Sequence, residues 1–439
     1  MAKVCKFGGT SMADADAICR VRKIIERDSE RRFIVVSAPG KRYSSDDKIT
    51  DLLYGCYDDI VSKGNCAERF SRVAERFIGI SKKFSLKTDV EALLNDVSLQ
   101  MITKRSRAFC ASRGEYISAR LLSDILGFEF VDAATIIRFT GNGKPDFNAT
   151  KRIIGKKLRE SPNAVIPGFY GADVAGNCFT FSRGGSDITG AIVASGINAK
   201  AYENWTDVNG VMFCDPEIVP YVKTVKVLTY KELRELSYGG ASVMHPESVF
   251  PLTEKRIPII IKNTFYPDGN GTVVIADEGY SCKNGGFACV TGRKNFAIIH
   301  VEKKLLDSED SVREKILSVL KRNGLRAEHL LSGTDKISVV VSAKNVSVDD
   351  RSDLIYKIEK RINADIVRII DNVSLISVVG RGVTETGNVT RIFESLKKEN
   401  VNLKMIDYGS DRLCIVIAVS NADYEKSIKI LYDNFNGRQ

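Results

Sequence analysis

The sequence predicts an α/β protein in which a mostly parallel sheet, covered by helices, precedes two smaller α/β units. Short apolar runs alternate with helical patterns up to about residue 275, as in open parallel sheets. Stretches rich in glycine and asparagine at 268–271 and 283–286 mark the end of that region. Two copies of a shorter pattern of strands and helices follow.

The apolar runs of the first region define its predicted strands, which are residues 4–5, 33–36, 130–131, 164–166, 179–181, 199–202 and 257–261. Because open α/β sheets bind ligands at the carboxyl ends of their strands, the polar and glycine-rich segments after these runs should meet at one edge. These segments are residues 8–9, 37–41, 168–171, 183 and 206–207. A helical pattern from residue 46 to about 108 predicts an insertion beside that edge.

The C-terminal region contains an internal repeat, in which residues 333–341 correspond to residues 409–417. Each copy is preceded by a strand, a helix and a strand, and is followed by a helix. These elements are 296–301, 312–323, 328–331 and 349–361 in the first copy, and 374–379, 388–399, 401–406 and 423–432 in the second. The order predicts two ferredoxin-like βαββαβ units, and domains at 1–280, 294–370 and 371–439.

Composition restricts the classes of function. The 439 residues, 44% of them apolar, are enough for two or three hydrophobic cores. The net charge of +10 is spread without a basic tail, which fits anionic small molecules better than nucleic acid. No window resembles a membrane span, and the N-terminus enters a strand without a signal-type segment.

Cysteine and histidine usage predicts a reduced, cytoplasmic protein. Ten cysteines occur singly, and only three histidines are present, so a zinc site is not expected. Several cysteines lie in apolar strand-like runs, which is typical of reduced core thiols. We assign no metal ligand to the protein from this pattern.

The most informative motif is Ser182-Arg183-Gly184-Gly185-Ser186-Asp187, where an apolar run, a glycine turn and a helix start coincide. Backbone N–H groups at a helix N-terminus bind anionic oxygens, and glycine permits their close approach. Arg183 can clamp a carboxylate, and Asp187 is a possible metal ligand. This combination indicates phosphoryl transfer to an acidic metabolite.

Other motifs allow both a structural and a functional interpretation. Lys6, before Gly8-Gly9, either ends a strand or bridges phosphates, although the segment lacks Walker spacing. Ser112 and Glu115 either form a capping box at a helix start, or Glu115 holds a substrate ammonium group. Asp207 is either a turn residue or a contact to nucleotide or Mg²⁺. His245, before a proline, is interpreted as a helix-boundary residue and not as a base.

Taken in order, the motifs resemble aspartokinase over essentially the whole chain. They are Lys6-Phe7-Gly8-Gly9-Thr10-Ser11, Ser112-Arg113-Gly114-Glu115, Gly168-Phe169-Tyr170-Gly171, Ser182 to Asp187, Trp205-Thr206-Asp207-Val208 and Met244-His245-Pro246. The resemblance implies the amino-acid kinase fold, followed by tandem ACT domains. It also implies ATP- and Mg²⁺-dependent phosphorylation of the L-aspartate side chain, the first step toward lysine, threonine and methionine.

The resemblance also implies roles for individual residues. Lys6 would stabilise the transferring phosphoryl group, and Asp187 would orient Lys6 or engage Mg²⁺. Glu115 would bind the α-ammonium of aspartate, and Arg183 its α-carboxylate. Further contacts would come from Thr50 and Ser186 for aspartate, and from Lys6, Phe7, Gly8, Gly9, Thr206, Asp207 and Met212 for ATP. A carboxylate is already a nucleophile at neutral pH, so the reaction requires no general base.

Three positions depart from the family pattern. Met212 replaces an aromatic residue, Glu217 an arginine and Ser242 a lysine, and Lys223 or Lys226 could supply the missing charge. These departures motivate a different hypothesis, in which the chain is a non-catalytic amino-acid sensor on a decayed kinase domain. Another alternative is a kinase of a different small acidic metabolite.

Regulation is expected from the C-terminal units. The segment Met405 to Gly409, and the lack of a dehydrogenase domain, resemble lysine-inhibited monofunctional aspartokinases. The resemblance implies lysine as the effector, with threonine as the alternative, and a homodimer formed through the ACT domains that could pair into a tetramer. The effector is expected near Ser311, Val312, Glu328 and Ser332.

Overall fold

The computed structural model describes residues 2–182, 184–241, 243–277, 289–304, 311–346, 350–383, 387–409 and 413–436. The chain forms two compact units. The first comprises residues 1–212, 224–237 and 242–280, and the second comprises residues 213–223, 238–241 and 281–439.

The first unit is built on an eight-stranded sheet. The strands of this unit in chain order are β1 (Lys3–Phe7), β2 (Arg31–Val36), β3 (Glu129–Phe130), β4 (Ala164–Pro167), β5 (Tyr170–Ala172), β6 (Cys178–Thr180), β7 (Ala201–Thr206), β8 (Val227–Thr229), β9 (Ile259–Asn263) and β10 (Thr272–Ile275). Strands β5 and β6 form a separate pair, and the other eight form the sheet. The spatial order is β3-β4-β2-β1-β7-β9-β10-β8, and only β9 and β10 are antiparallel neighbours. The predicted mostly parallel sheet is confirmed.

Helices connect and cover these strands. In chain order they are α1 (Ala15–Glu26), α2 (Ile49–Lys63), α3 (Ala67–Ser81), α4 (Val90–Lys104), α5 (Arg107–Leu126), α6 (Ala133–Ile136), α7 (Phe147–Glu160), α8 (Gly185–Gly196), α9 (Tyr230–Gly239) and α10 (Phe250–Thr253). Helices α2, α3 and α4 confirm the predicted helical insertion. In α2 the buried residues Ile49, Leu52, Leu53, Cys56 and Ile60 recur at helical spacing, which explains why this segment folds as a helix.

The central strands are buried on both faces, as expected for a parallel sheet between helix layers. In β1, Val4, Cys5 and Phe7 are fully buried. On one side, Phe7 stacks on Trp205 of β7, with 6.0 Å between the ring centroids. The same core includes the apolar faces of the helical insertion. The carboxyl ends of β1 and β7 are therefore packed against each other in the core.

One predicted strand pairing and one candidate helix start differ from the structure. Residues 179–181 were expected in the main sheet, but β6 pairs only with β5, in an antiparallel hairpin where Tyr170 is opposite Thr180. Ser112 was considered as a helix start, but α5 begins at Arg107 with Ser106 as its N-cap. The hydroxyl of Ser112 instead donates to the backbone oxygen of Phe109 within the helix, at 2.7 Å.

The second unit contains a six-stranded antiparallel sheet. Its elements are β11 (Cys289–Glu302), α11 (Val312–Arg322), β12 (Ala327–Ser332), β13 (Lys336–Ser342), α12 (Arg351–Ile362), β14 (Ile366–Val379), α13 (Asn388–Lys398), β15 (Met405–Tyr408), β16 (Cys414–Ser420) and α14 (Tyr424–Asn436). The spatial order is β12-β13-β11-β14-β16-β15. The predicted internal repeat is confirmed, because each copy contributes the same order of strands and helices.

The two copies share their central strands. The first part of β14, residues 366–370, pairs with β11 of the first copy, whereas residues 373–379 open the second copy. Residues 289–293 of β11 pair with 375–379 of β14, and so complete the second copy.

Within the described residues, no helix is both long and apolar enough to span a bilayer.

Candidate active site

Lys6 is a charged residue between the buried apolar residues Cys5 and Phe7 of strand β1. Its neighbours across the sheet are Val35 of β2 and Asn204 of β7. The residue is only 9% exposed, which for a lysine indicates that a charged partner is close. That partner is Asp187, whose Oδ1 lies 2.6 Å from Lys6 Nζ.

Asp187 is positioned by the start of α8. The helix follows Gly184, which has a φ of 62° in the left-handed region. A side-chain carbon at Gly184 would lie 2.2 Å from Cβ of His245, so this position requires glycine on two grounds. The backbone N–H of His245 also donates to Asp187 Oδ2, at 3.4 Å. The first turn of α8 thus directs an acidic side chain toward Lys6, at a helix N-terminus of the kind that binds anions.

The glycine motif after β1 packs against the loop that follows β2. Residues Gly9–Met12 form one 3-10 turn, and the backbone N–H of Gly40 donates to the oxygen of Gly9 at 2.8 Å. A side-chain carbon at Gly40 would lie 2.7 Å from the Gly9 carbonyl carbon. The two backbone segments therefore touch directly, beside Lys6.

Glu115 lies on α5 and is 5% exposed. Burial raises the pKa of its carboxyl group to about 8, and a hydrogen bond from the Ala38 backbone opposes this rise only in part. Among the described residues, no group donates a hydrogen bond to Glu115 Oε2. The acid is therefore arranged to receive a donor from a ligand.

These residues surround one cavity of about 920 Å³. Its lining contains the predicted residues Lys6, Gly9, Thr50, Glu115, Ser186 and Asp187. It also contains Ser37 to Lys41, Lys48, Asp51, Tyr54 and Phe169. The structure thus brings together six segments that are far apart in the sequence. The cavity combines lysine ammonium groups, glycine amides and a buried carboxyl group.

A second cluster surrounds Asp207, at the end of β7. Thr10 donates its hydroxyl to Asp207 Oδ2 at 2.9 Å, and Thr206 donates to Oδ1 at 3.2 Å. Asn263 donates to the backbone oxygen of Asp207 at 3.3 Å. Asn263 also lines a separate cavity of about 470 Å³, together with Asn209, Thr224, Lys226, Tyr266 and residues 269–271.

The remaining predicted nucleotide contacts lie elsewhere. Phe7 is buried in the core against Trp205, and Met212 forms an isolated β-bridge with Thr224 of the second cavity. Of the two lysines considered as replacements, Lys226 lines this cavity, whereas Lys223 belongs to the second compact unit. Arg183 and Ser242 lie outside the described residues.

The predicted regulatory residues lie in the second unit. Ser311 is the N-cap of α11, and the adjacent Val312 is fully buried in the core. Glu328 accepts hydrogen bonds from Tyr238 at 3.2 Å and Arg293 at 2.9 Å. Ser332 is the exposed last residue of β12.

Sequence reasoning missed one group beside the site, the buried ion pair between Arg76 and Asp46. Arg76 interrupts the apolar face of α3 formed by Phe70, Val73 and Phe77. An arginine at such a position is the signal that could have revealed it, since an unpaired charge there would be costly.

Comparison with known proteins agrees with this geometry. Residues 1–263 match the model of the amino acid kinase family, and residues 376–435 match an ACT domain. Aspartokinase 3 of Bacillus subtilis (strain 168) is 33% identical, over 99% of this chain and 98% of that protein. The crystal structure of Clostridium acetobutylicum aspartate kinase has a TM-score of 0.89 and 40% identity, over 99% of both chains.

A more distant structure shares the fold. Escherichia coli aspartokinase III, in complex with aspartate and ADP, has a TM-score of 0.79 and 23% identity over 99% of both chains. The parallel sheet, the lysine and glycine motifs at its edge and the match over residues 1–263 define the class as amino acid kinases. With the full-length similarity, the chain belongs to the aspartokinase family. It is an enzyme that phosphorylates aspartate and is regulated through its ACT domains.

Proposed function

We propose that the chain transfers the γ-phosphoryl group of ATP to the β-carboxylate of L-aspartate in the cavity around Lys6. The observation that carries this proposal is the placement of the Lys6–Asp187 ion pair and the buried Glu115 on one cavity. A cation beside the phosphate motif and a separate buried acid suit an anionic donor and an amino-acid acceptor.

Aspartate recognition is assigned to the side of the cavity formed by α2 and α5. Glu115 receives the α-ammonium group, because its Oε2 has no donor among the described residues. Thr50 in the first turn of α2 and Ser186 in the first turn of α8 supply hydroxyl groups to the carboxylates. Arg183 is assigned to the α-carboxylate by its motif alone.

Phosphoryl transfer is assigned to Lys6 and the adjacent backbone. The attacking carboxylate and the phosphate are both anions, so their approach must be stabilised by fixed positive charge and N–H donors. Lys6 provides a charge that can follow the transferred group, while Asp187 keeps the ammonium in place. The backbones of Gly8 and Gly9 are assigned to the phosphates. The aspartate carboxylate needs no proton removed at neutral pH.

The nucleotide is assigned to the side of the sheet edge that holds Asp207. Thr206, Asp207 and Met212 follow β7, and Thr10 connects Asp207 to the phosphate motif. When bound, MgATP supplies the phosphoryl group, and its metal shields the phosphate charge. Mg²⁺ commonly uses one or two carboxylates together with phosphate oxygens, which Asp187 and Asp207 can provide.

A coupled assay of ADP release tests this function directly. The purified chain with MgATP should release ADP only when L-aspartate is added. L-Glutamate and uridine monophosphate serve as controls for other acidic acceptors. Absence of ADP release would instead favour the non-catalytic sensor motivated by Met212, Glu217 and Ser242. ADP release that does not depend on aspartate would contradict aspartate as the acceptor.

Feedback control is assigned to the second unit, with lysine as the effector and threonine as the alternative. Support comes from the resemblance of residues 405–409 to lysine-sensitive members and from the ACT match at 376–435. Escherichia coli aspartokinase III, which shares the fold, was also crystallised with lysine and aspartate. Titration calorimetry with each amino acid tests this assignment, and absence of heat and inhibition with both would reject it.

The domain division and cellular context complete the proposal. We divide the chain into a kinase domain at 1–280 and ACT domains at 294–370 and 371–439, which assemble a homodimer that can pair into a tetramer. Seven cysteines in the described part of the chain are free thiols, as suits a reducing cytoplasm, and they are Cys5, Cys19, Cys56, Cys66, Cys110, Cys178 and Cys214.

A further inference from the structure

The loop that follows β2, residues 37–48, forms much of the lining of the active-site cavity. It adopts neither helix nor strand, yet it contributes Ser37 to Lys41 and Lys48 to the cavity lining. Ala38 in this loop hydrogen-bonds the carboxyl group of Glu115 through its backbone. The loop then leads into Thr50, at the start of α2. Its position must therefore be fixed by contacts from outside the loop.

One such contact comes from Arg76 on α3. Its side chain is 6% exposed, and it lies on the helix face formed by Phe70, Val73, Phe77 and Ile80. Burial of a guanidinium group on an apolar face is unfavourable unless it is fully paired. Arg76 is absent from the lining of the active-site cavity, so it does not act as a direct substrate contact.

Arg76 joins three segments of the chain. Its Nη2 donates to Asp46 Oδ2 at 2.6 Å, and its Nη1 donates to the backbone oxygen of Gly40 at 3.0 Å. Nη1 also lies 3.3 Å from the backbone oxygen of Ala13, immediately after the glycine turn of the phosphate motif. Because Gly40 in turn donates to Gly9, one side chain connects the loop and the phosphate motif.

Asp46 folds the loop onto itself. It accepts hydrogen bonds from the backbone N–H of Arg42 at 3.0 Å and from Nε of Arg42 at 2.9 Å. The hydrogen bonds from Arg42 and the charge of Arg76 hold the pKa of Asp46 far below its usual range. Asp46 thus remains a carboxylate and accepts from both arginines throughout the physiological pH range.

We infer that Arg76 and Asp46 are positioning residues for aspartate, which hold the 37–48 loop against Gly9 at the distance that catalysis requires. This inference rests on the proposed function. Loss of the pair displaces Ala38 and Thr50 on the aspartate side of the cavity. The phosphate motif touches the loop through Gly9, but Gly9–Met12 forms its own 3-10 turn, and Asp207 receives none of the hydrogen bonds from the loop described above. The affinity for ATP should therefore change less than the affinity for aspartate.

The test compares Arg76→Ala and Asp46→Asn with the matched control Arg72→Ala. Arg72 lies one turn earlier on α3 and pairs with Asp47, but both side chains are about half exposed. In both test variants we expect the KM for aspartate to rise about tenfold or more and kcat to fall, with the KM for ATP within about twofold of wild type. The control should keep all three constants within about twofold.

Chemical rescue and thermal stability separate positioning from folding. Guanidinium at millimolar concentration should restore part of the aspartate affinity of Arg76→Ala, whereas equal sodium chloride should not. Unchanged aspartate KM in both test variants would overturn the inference. So would a fall in kcat that matches the loss of folded protein while both KM values stay normal.

Asp46→Asn is nearly isosteric and keeps Arg76 in place. If Arg76→Ala does not fold, the kinetic constants of Asp46→Asn alone test the inference, with the same expected values. An inactive wild-type chain would instead reject the proposed function itself. An active wild-type chain with normal variants would reject only the role of the loop pair.

Discussion

At the scale of single residues, the buried groups Lys6 and Glu115 of the cavity lie in different electrostatic environments. Lys6 is paired with Asp187 at 2.6 Å, so its charge is stabilised before any ligand binds. Glu115 has no such partner for Oε2, and burial favours its neutral form. The first group is therefore preorganised for phosphate, whereas the second becomes fully charged only with a cationic ligand.

Lys6→Met should abolish turnover without unfolding the protein. Methionine has a similar length but no charge, so we expect kcat to fall by about 10³-fold or more. Lys3→Met is the matched control, because Lys3 lies in the same strand but pairs with Asp28 at 2.7 Å. Steady-state kinetics with circular dichroism checks both variants. A kcat for Lys6→Met within about tenfold of wild type would remove Lys6 from the reaction.

The pKa of Glu115 predicts how aspartate binding depends on pH. The carboxyl group has a pKa of about 8 because it is desolvated, so its proton must leave before an ammonium group can pair with it. The KM for aspartate should therefore fall about tenfold per pH unit up to pH 8 and level above it. Measurement between about pH 6.5 and 9 tests this, with Glu115→Gln expected to show a high and flat KM.

A rise in pH, which should favour aspartate binding by Glu115, should lower the contribution of the same carboxyl group to folding stability. Its pKa is raised from 4.5 to about 8 by folding, so its contribution to stability is complete below pH 4.5 and is lost as pH rises through 8. Glu115→Gln should therefore raise the melting temperature of the ligand-free protein more at alkaline pH than at pH 5. Equal melting temperatures at all pH values would contradict the assigned pKa.

At the scale of elements, the sequence predicted the positions of strands and helices better than it predicted which elements pair or contact each other. The run at 179–181 was correctly identified as extended, but its pairing with β5 depends on a hairpin register that apolar alternation does not encode. Ser112 resembled a helix start, yet the apolar pattern continues N-terminally to Ser106, which caps α5. The Arg76–Asp46 pair was missed because the two residues are 30 positions apart and belong to different elements.

The conformation at the start of α8 should require a residue without a side chain at position 184. Gly184→Ala would introduce a carbon 2.2 Å from His245 Cβ, in addition to the strain of a φ of 62°. We expect loss of most activity and lower thermal stability, because Asp187 follows within the first turn. Gly176→Ala is the control, since Gly176 has a φ of 84° but nothing within 4 Å of the added carbon.

Kinetics and calorimetry distinguish the two glycine variants. The control should lose about 1 kcal/mol of stability from backbone strain and retain its kcat. If both variants behaved alike, the close packing of Gly184 against His245 would have no role in placing Asp187.

At the scale of the whole molecule, the repeat in the sequence predicted the second unit correctly. The repeat could not reveal that β11 and β14 each serve both copies, because this sharing depends on antiparallel register across residues 289–302 and 366–379. The resulting sheet has β12 and β15 at its edges. On β15, Ile406 and Tyr408 are 44% and 47% exposed, which is unusual for large apolar residues on an edge strand.

This edge predicts where the second copy of the proposed homodimer would bind. The double variant Ile406→Lys and Tyr408→Lys should convert the expected dimer into a monomer of 48.5 kDa in sedimentation velocity. Leu317→Lys is the control, because Leu317 is similarly exposed, at 39%, but lies on α11 and not on β15. A double variant that sediments as wild type would place the dimer interface elsewhere.

Hydroxylamine trapping most directly tests whether one sheet edge joins aspartate to the terminal phosphate of ATP. Hydroxylamine converts an acyl phosphate to a hydroxamate, which identifies the phosphorylated carboxyl group. The wild-type chain should form the β-hydroxamate of aspartate in amounts equal to the ADP released, and Lys6→Met should form none above background. ADP release without hydroxamate, or equal hydroxamate from both proteins, would contradict the proposed reaction at Lys6.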